Sequence, residues 1–234
     1  METGALVRRI RDELMTHVDQ AFRSTMQDRF KSNARSFLGV RTPLVRLIAD
    51  RHYPEIAGLS VEERLRSCVE ALETGVHECR ILAFRWAHRS TRDFSADQVR
   101  IPIGWIDRYI GDWSDCDDLC MHVIGPLFLR FPAQAMQVTE WCSSSNRWVR
   151  RSAAVSLIRA ARQGLQFDLV RQVSRALATD RDNLVRKAHG WLLREAGRKR
   201  PDDIRQHLEE HHGILPRAVV TMASRKLSET PGVL

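Results

Sequence analysis

Apolar residues recur at helical spacing from one end of the chain to the other. Leu6, Ile10 and Leu14 form a stripe that Val18 and Phe22 extend. Thr42-Pro43 reads as an N-cap and first-turn proline ahead of Leu44, Leu47 and Ile48. Ser60-Val61-Glu62-Glu63 is a capping box before Leu65, Val69 and Leu72. The same pattern predicts helices over about 77–89, 95–110, 115–130, 132–142, 147–162, 166–178, 182–198, 201–211 and 215–227. No segment sustains a period-two alternation, so the expected fold class is all-α. The breaks, at Ser90–Asp93, Ser143–Asn146 and Arg198–Pro201, are too short for flexible linkers, which predicts one domain over 1–234.

The pattern repeats. The stretch from Trp148 to Arg159 overlays that from Leu184 to Glu195 at a shift of 36 residues, and Cys79–Trp86 is a fainter copy. Small and apolar positions recur in place, with basic residues near each helix start. A period of this length with paired helices is the signature of HEAT or armadillo repeats. The expectation is a superhelical solenoid of about six HEAT-like (ARM-type) helical repeats. Arg80, Arg150, Arg151, Arg186, Lys187 and Arg194 would line its concave basic groove, unless they are the solvated faces of ordinary repeat helices.

Charge narrows the partner. Lys plus Arg is 37 against 29 Asp plus Glu, a net charge of +8. Such an excess favours nucleic acid or an anionic membrane surface. Arginine outnumbers lysine, which suits bidentate phosphate contacts. No apolar run approaches a membrane span and the N-terminus lacks signal-peptide architecture. The expected setting is the cytoplasm, with nucleoid association and no membrane partner. Five cysteines on apolar helical patterns argue against disulfides. Cys116 and Cys120 with His122 nearby are a weak zinc signal, and packed thiols explain them better. No metal and no cofactor are expected.

Trp113-Ser114-Asp115-Cys116-Asp117-Asp118 is the most informative stretch. Trp113 and Asp117 stand four residues apart and share a helix face. A carboxylate beside a ring, in a protein built to attract polyanions, suggests stabilisation of a cation on the sugar of DNA. The neighbouring Asp118 allows a one-residue slip of the site. The plainer reading makes Asp117 a charge complementing a helix N-terminus.

Four landmarks carry a family resemblance: Phe37-Leu38-Gly39-Val40-Arg41-Thr42-Pro43, Trp113-x-x-x-Asp117, Asn146-Arg147-Trp148-Val149-Arg150-Arg151, and Lys187 to Glu195. Over about 26–227 the chain resembles the AlkD-like DNA alkylation repair proteins, alkylpurine DNA glycosylases of HEAT-like repeats. The resemblance implies that Asp117 is the catalytic aspartate and that Trp113 and Trp191 pack on the deoxyribose of the lesion. It implies that Arg151 and Arg194 hold backbone phosphates; Arg150 and Lys187, from the groove reading, join them as candidate DNA-binding residues. Phe30 falls where a characterised relative has a tyrosine, and lacks that hydroxyl.

The implied reaction is hydrolysis of the N-glycosidic bond of purines alkylated at N3 or N7, in duplex DNA. The cationic base is already a good leaving group, so no general acid is needed. Breaking the bond puts positive charge on the sugar, as in glycoside hydrolysis. A fixed carboxylate stabilises that charge, and tryptophan faces add cation–π attraction. No lysine is needed as a Schiff-base nucleophile, so a monofunctional enzyme is expected; the expected state is a monomer. By resemblance the lesion can stay stacked, with no tight base pocket, which would admit bulky adducts. The alternatives are a non-catalytic HEAT-repeat protein binding damaged or unusually shaped DNA, and a scaffold for an acidic protein.

Overall fold

The computed structural model describes residues 3–30, 36–225 and 227, and the side chains of 3 and 27–30 lie outside that description. Among the described residues there is no strand; an isolated bridge pairs Ser36 with Val76. The chain divides into two compact units, Met1–Phe94 and Ser95–Leu234.

The first unit holds α1 (Thr3–Met15), α2 (Gln20–Phe30), α3 (Thr42–His52), the short α4 (Pro54–Ala57), α5 (Val61–Glu73) and α6 (His77–Ser90). The apolar stripe from Leu6 to Phe22 is broken at Asp19. Its carboxylate accepts from the Phe22 amide at 2.9 Å, so it caps a new helix instead of continuing the old one. At Ser60 the capping box forms as its sequence predicts. Thr42 is already helical, with Arg41 at the cap position, so the proline sits one residue further in than its sequence suggests. Ile10, Leu14, Ile48, Leu82 and Trp86 fill the core. Each contributes about 1.5–3 kcal/mol of hydrophobic stabilisation on full burial. The Trp86 indole N–H is satisfied by the Ala49 carbonyl at 2.8 Å.

The Phe37–Pro43 landmark has a structural cause. Glu78, wholly buried on α6, accepts the amides of Leu38, Gly39 and Val40 at 3.0, 2.8 and 3.1 Å. A loop wrapped this tightly needs a left-handed residue, and Gly39 supplies it with φ 101°. A Cβ at Gly39 would meet the Arg23 Cβ at 2.6 Å, so the glycine is required by space as well as by conformation.

The second unit opens with a 3₁₀ turn at Ala96–Val99 and α7 (Arg100–Tyr109). Next come α8 (Trp113–Leu119), a π turn (Cys120–Ile124) and α9 (Gly125–Arg130). After a 3₁₀ turn at Pro132–Gln137 follow α10 (Val138–Trp141), α11 (Arg147–Val155), α12 (Ile158–Arg162) and α13 (Phe167–Ala176). The last three are α14 (Asn183–Gly197), α15 (Pro201–Glu210) and α16 (Arg217–Ser224). The spine is α14, packed on α11, α12, α13, α15 and α16.

The self-match is structural. Asn146 caps α11 through the Trp148 amide at 2.9 Å, and Asp182 caps α14 through the Leu184 amide at 2.8 Å. The matched helices then pack on one another. The helix predicted over 147–162 is split, because the amide of Leu157 turns back to the Ala154 carbonyl at 3.3 Å and α12 starts afresh. The run predicted over 115–130 starts two residues earlier and widens at its centre. Pro126 has no N–H to close an α-helical bond, and the π turn absorbs the defect, with the Gly125 amide bonded to the Cys120 carbonyl.

Behind α14 lies a buried polar chain. Ser174 Oγ sits 2.7 Å from His189 Nε2 and 2.8 Å from His207 Nε2, with all three side chains buried. One hydroxyl can donate to one ring and accept from the other, which suits two neutral imidazoles. Burial lowers His189 to about 3 and His207 to about 4. In the unfolded chain both rings take up protons near the ordinary value of 6.5. Stability is therefore present above that pH and is lost as pH falls toward the folded values. The melting temperature should drop on acidification from about pH 7.5 to about pH 4.5, and drop less steeply in His189→Gln, which loses one titrating ring. Parallel melting curves for the two proteins would contradict this account.

Candidate functional site

The site grows from the start of α8. Asp112 precedes it in extended conformation, and its Oδ1 accepts the amides of Ser114 and Asp115 at 2.8 and 3.0 Å and the Ser114 hydroxyl at 2.7 Å. This cap fixes Trp113 as the first helical residue. Trp113 is 56% exposed, unusual for so large an apolar ring. One turn on, Asp117 lies on the same face.

Asp117 is held by a fork. Arg151 on α11 donates from Nε to Oδ1 at 3.1 Å and from Nη2 to Oδ1 and Oδ2 at 2.7 and 2.9 Å. Its Nη1 donates to the Leu184 carbonyl at 2.6 Å, in the first turn of α14. One guanidinium thus joins three helices. The Arg151 side chain is 6% exposed, whereas Asp117 keeps 20% of its surface open. Beneath them Cys116 Sγ lies 3.2 Å from Ser152 Oγ, and burial pushes the Cys116 thiol well up. Cys116 and Cys120 are both wholly buried, as packed thiols should be.

The neighbouring carboxylates face elsewhere. Asp118 has an oxygen 3.8 Å from His122 Nε2, and Asp115 is buried. Of the three, Asp117 is the one paired with Arg151 on the Trp113 side of the helix.

Further along α14 stands Trp191, two turns or roughly 10 Å beyond Leu184. Its ring is half-buried and its Nε1 donates to Glu195 Oε1 at 3.1 Å. Arg194 donates to the same oxygen from Nε and Nη2 at 3.2 and 2.8 Å. Lys187 is exposed on the same helix. Trp113, Asp117, Arg151, Trp191, Arg194 and Lys187 are therefore linked through α8, α11 and α14 of one unit.

Other expected residues lie differently. The Arg150 Nε pairs with Asp180 at 2.7 Å, and its Nη1 donates to the carbonyls of Ser144 and Ser145 at 2.8 and 3.0 Å. Arg150 is thus engaged in holding the loop before α11. Arg186 donates to the Asp180 carbonyl at 2.6 Å. Arg80 is buried in the first unit and reaches the Gly75 carbonyl at 3.3 Å, so it cannot line an open surface. Phe30 ends α2, and its side chain lies outside the described residues. Two residues at the site escape a reading of the sequence: Asp112, whose cap sets where α8 begins, and Glu195, whose partners come from two helices.

Comparisons agree with this architecture. Residues 10–227 match the family model for DNA alkylation repair enzymes, and the chain belongs to that family. A "predicted DNA alkylation repair enzyme" from Enterococcus faecalis superposes with a TM-score of 0.81 at 16% identity, covering 92% of this chain and 98% of that one. AlkD2 from Streptococcus mutans superposes with a TM-score of 0.59 at 21% identity, covering 76% of this chain and 87% of that one. The smu.31 protein of Streptococcus mutans UA159 gives 0.59 at 20% identity, with 76% and 90% covered. At these identities the likeness is one of fold, the all-α helical-repeat class. No curated protein matches the chain.

The electrostatics of Asp117 can be measured directly. Burial raises its carboxyl above the ordinary 3.8, and the Arg151 charge and hydrogen bonds pull against that rise without cancelling it. Carbon-detected NMR titration should place Asp117 above 3.8, and Arg151→Met should move it further up. A wild-type midpoint at or below 3.8, or a downward move in the variant, would contradict this balance.

Proposed function

We propose that this member of the DNA alkylation repair family is a monofunctional DNA glycosylase. Its substrates are purines carrying a positive charge from alkylation at N3 or N7, in duplex DNA. The observation that carries the reading is the pairing of an exposed indole, Trp113, with a partly open carboxylate, Asp117, one helical turn apart. The bond to a cationic purine breaks without a general acid, and the positive charge then resides on the sugar. Asp117 supplies the opposite charge beside that sugar and can orient the attacking water. Trp113 and Trp191 pack on the deoxyribose and exclude solvent, and their faces favour the developing cation. Arg194 and Lys187 meet backbone phosphates from α14.

Arg151 takes a second role in this proposal. Its fork is filled by Asp117 and the Leu184 carbonyl, so it sets the direction of the carboxylate first. Phosphate contact from Arg151 would require part of that fork to open. No enclosed base pocket enters the mechanism, which leaves room for bulky adducts. Among the described residues no helix is long and apolar enough to cross a membrane. The proposed enzyme acts on DNA in the cytoplasm, as a monomer.

One observation favours a second reading, a non-catalytic protein that binds damaged or unusually shaped DNA. Both Asp117 oxygens already accept from Arg151, so part of the carboxylate charge is spent within the protein. Single-turnover base release separates the two. Wild type should release 7-methylguanine from duplex DNA, and Asp117→Asn should lose about 10²-fold or more in rate while still binding the duplex. Asn keeps an oxygen for Arg151 but not the charge. A uracil-containing duplex should be a poor substrate, because its leaving group is neutral and no acid protonates it. Loss in Asp118→Asn with full activity in Asp117→Asn would move the site by one residue. Full activity in both would overturn the mechanism, and no release by wild type would favour the binding protein.

A further inference from the structure

The far end of α14 carries an assembly of which the catalytic reading uses only Trp191 and Arg194. Glu195 is 1% exposed, yet four side chains converge on it. Trp191 and Arg194 take Oε1, as described above, while Arg162 Nε reaches Oε2 at 2.9 Å and Arg198 Nε pairs with Oε2 at 3.1 Å. Burial by itself would raise this carboxyl, but the hydrogen bonds from Arg194 and Arg162 outweigh it and hold Glu195 below its ordinary value.

Three guanidiniums against one carboxylate leave two positive charges in one place. The surplus is accessible: the side chains of Arg162 and Arg198 are 44% and 50% exposed. Each spends its Nε on Glu195 and keeps Nη donors for a further acceptor. A buried carboxylate beneath guanidiniums that reach the surface is a way to fix arginines in advance, so that less rotamer entropy is lost when an anion arrives. Position then suggests which anion. Lys187, Trp191, Arg194 and Arg198 follow one another at helical spacing along a single face of α14. That face runs for roughly 16 Å, against one phosphate per about 3.4 Å of axis on each strand of duplex DNA.

We propose that Arg162 and Arg198 join Arg194 in one phosphate clamp seated on Glu195. It would take the DNA backbone to one side of the Trp113–Asp117 site, and Glu195 would be the positioning residue for both the clamp and Trp191. The proposal rests on the reading that duplex DNA runs along α14, and it does not require that a base be released.

The test is the salt dependence of binding to an unmodified duplex. Arg162→Ala and Arg198→Ala should each weaken binding at low salt. The double variant should reduce the slope of log K against log salt by about 0.9 for each phosphate that it no longer neutralises. Arg171→Ala removes the same charge from α13, where Arg171 pairs with Glu210, and should leave the slope unchanged. A double variant with the wild-type slope, or one matching Arg171→Ala, overturns the clamp. Glu195→Gln gives the second arm. It raises the local positive charge, so a carboxylate that only neutralised the arginines would, once removed, leave tighter DNA binding. A carboxylate that positions them should, once removed, leave weaker binding despite the added charge, in a protein whose helical circular dichroism is intact. Tighter binding by Glu195→Gln overturns the positioning role. Base release is absent from both arms. A wild type that shows the expected slopes but releases no base keeps the clamp and loses the glycosylase reading.

Discussion

The second unit depends on one guanidinium. Arg151 is an ion-pair partner to α8, a backbone donor to α14 and an integral residue of α11. Removing one member of a buried, hydrogen-bonded ion pair costs about 3–5 kcal/mol, chiefly through the charge left behind. Here the cost is asymmetric. Asp117 retains access to solvent, so losing Arg151 strands a carboxylate that water can reach. Losing the carboxylate strands a cation that water hardly reaches. The arrangement thus protects the arginine and leaves the acid available, which is the disposition that the proposed action on a cationic sugar requires.

Two of the buried carboxylates, Glu78 and Glu195, organise their surroundings in opposite ways. Among the described residues Glu78 takes backbone amides, and its product is a tightly held loop. Glu195 takes only side-chain donors, and its product is a set of oriented cations around an indole. Both follow from the cost of an unpaired buried charge, which is met by saturating each oxygen. The difference lies in what comes within reach. A glycine-containing loop folds back over α6 at Glu78, whereas α12 and the last turns of α14 bring arginines to Glu195.

What was legible in the sequence follows the range of the interactions. The helices, the box at Ser60 and the match of α11 with α14 rest on contacts within a few residues or on periodicity. They are visible in the chain. The Trp113–Asp117 pair is equally local. The split between α11 and α12 is not, because no breaker residue marks it. The backbone of Gly125 passes so close that a Cβ there would lie 3.1 Å from the Ser156 carbonyl, at the same break. The fork on Asp117 joins residues 34 apart, and that on Glu195 reaches 33 residues back to Arg162. Nothing in an isolated stretch announces such partners. The start of α8 could have been placed correctly, since Asp112 is a good capping residue two positions before Ser114.

Charge is where counting along the sequence misleads most. A net charge of +8 in an arginine-rich chain suggests many groove-lining cations. Yet Arg64, Arg80 and Arg151 are buried, with Arg64 bonded to Asp93 at 2.7 Å and to the Tyr53 hydroxyl at 3.1 Å. Arg150 and Arg186 are occupied around Asp180. An arginine enclosed by such acceptors is building material: its planar fork ties helix to helix where a lysine would make one point contact. The arginine bias therefore serves assembly as well as attraction. A cation also stays available to the proposed polyanion when its partner is already saturated by other donors. On α14 and α12 such cations are the residues around Glu195, where three positive charges share one buried negative and the excess has nowhere to go but outward.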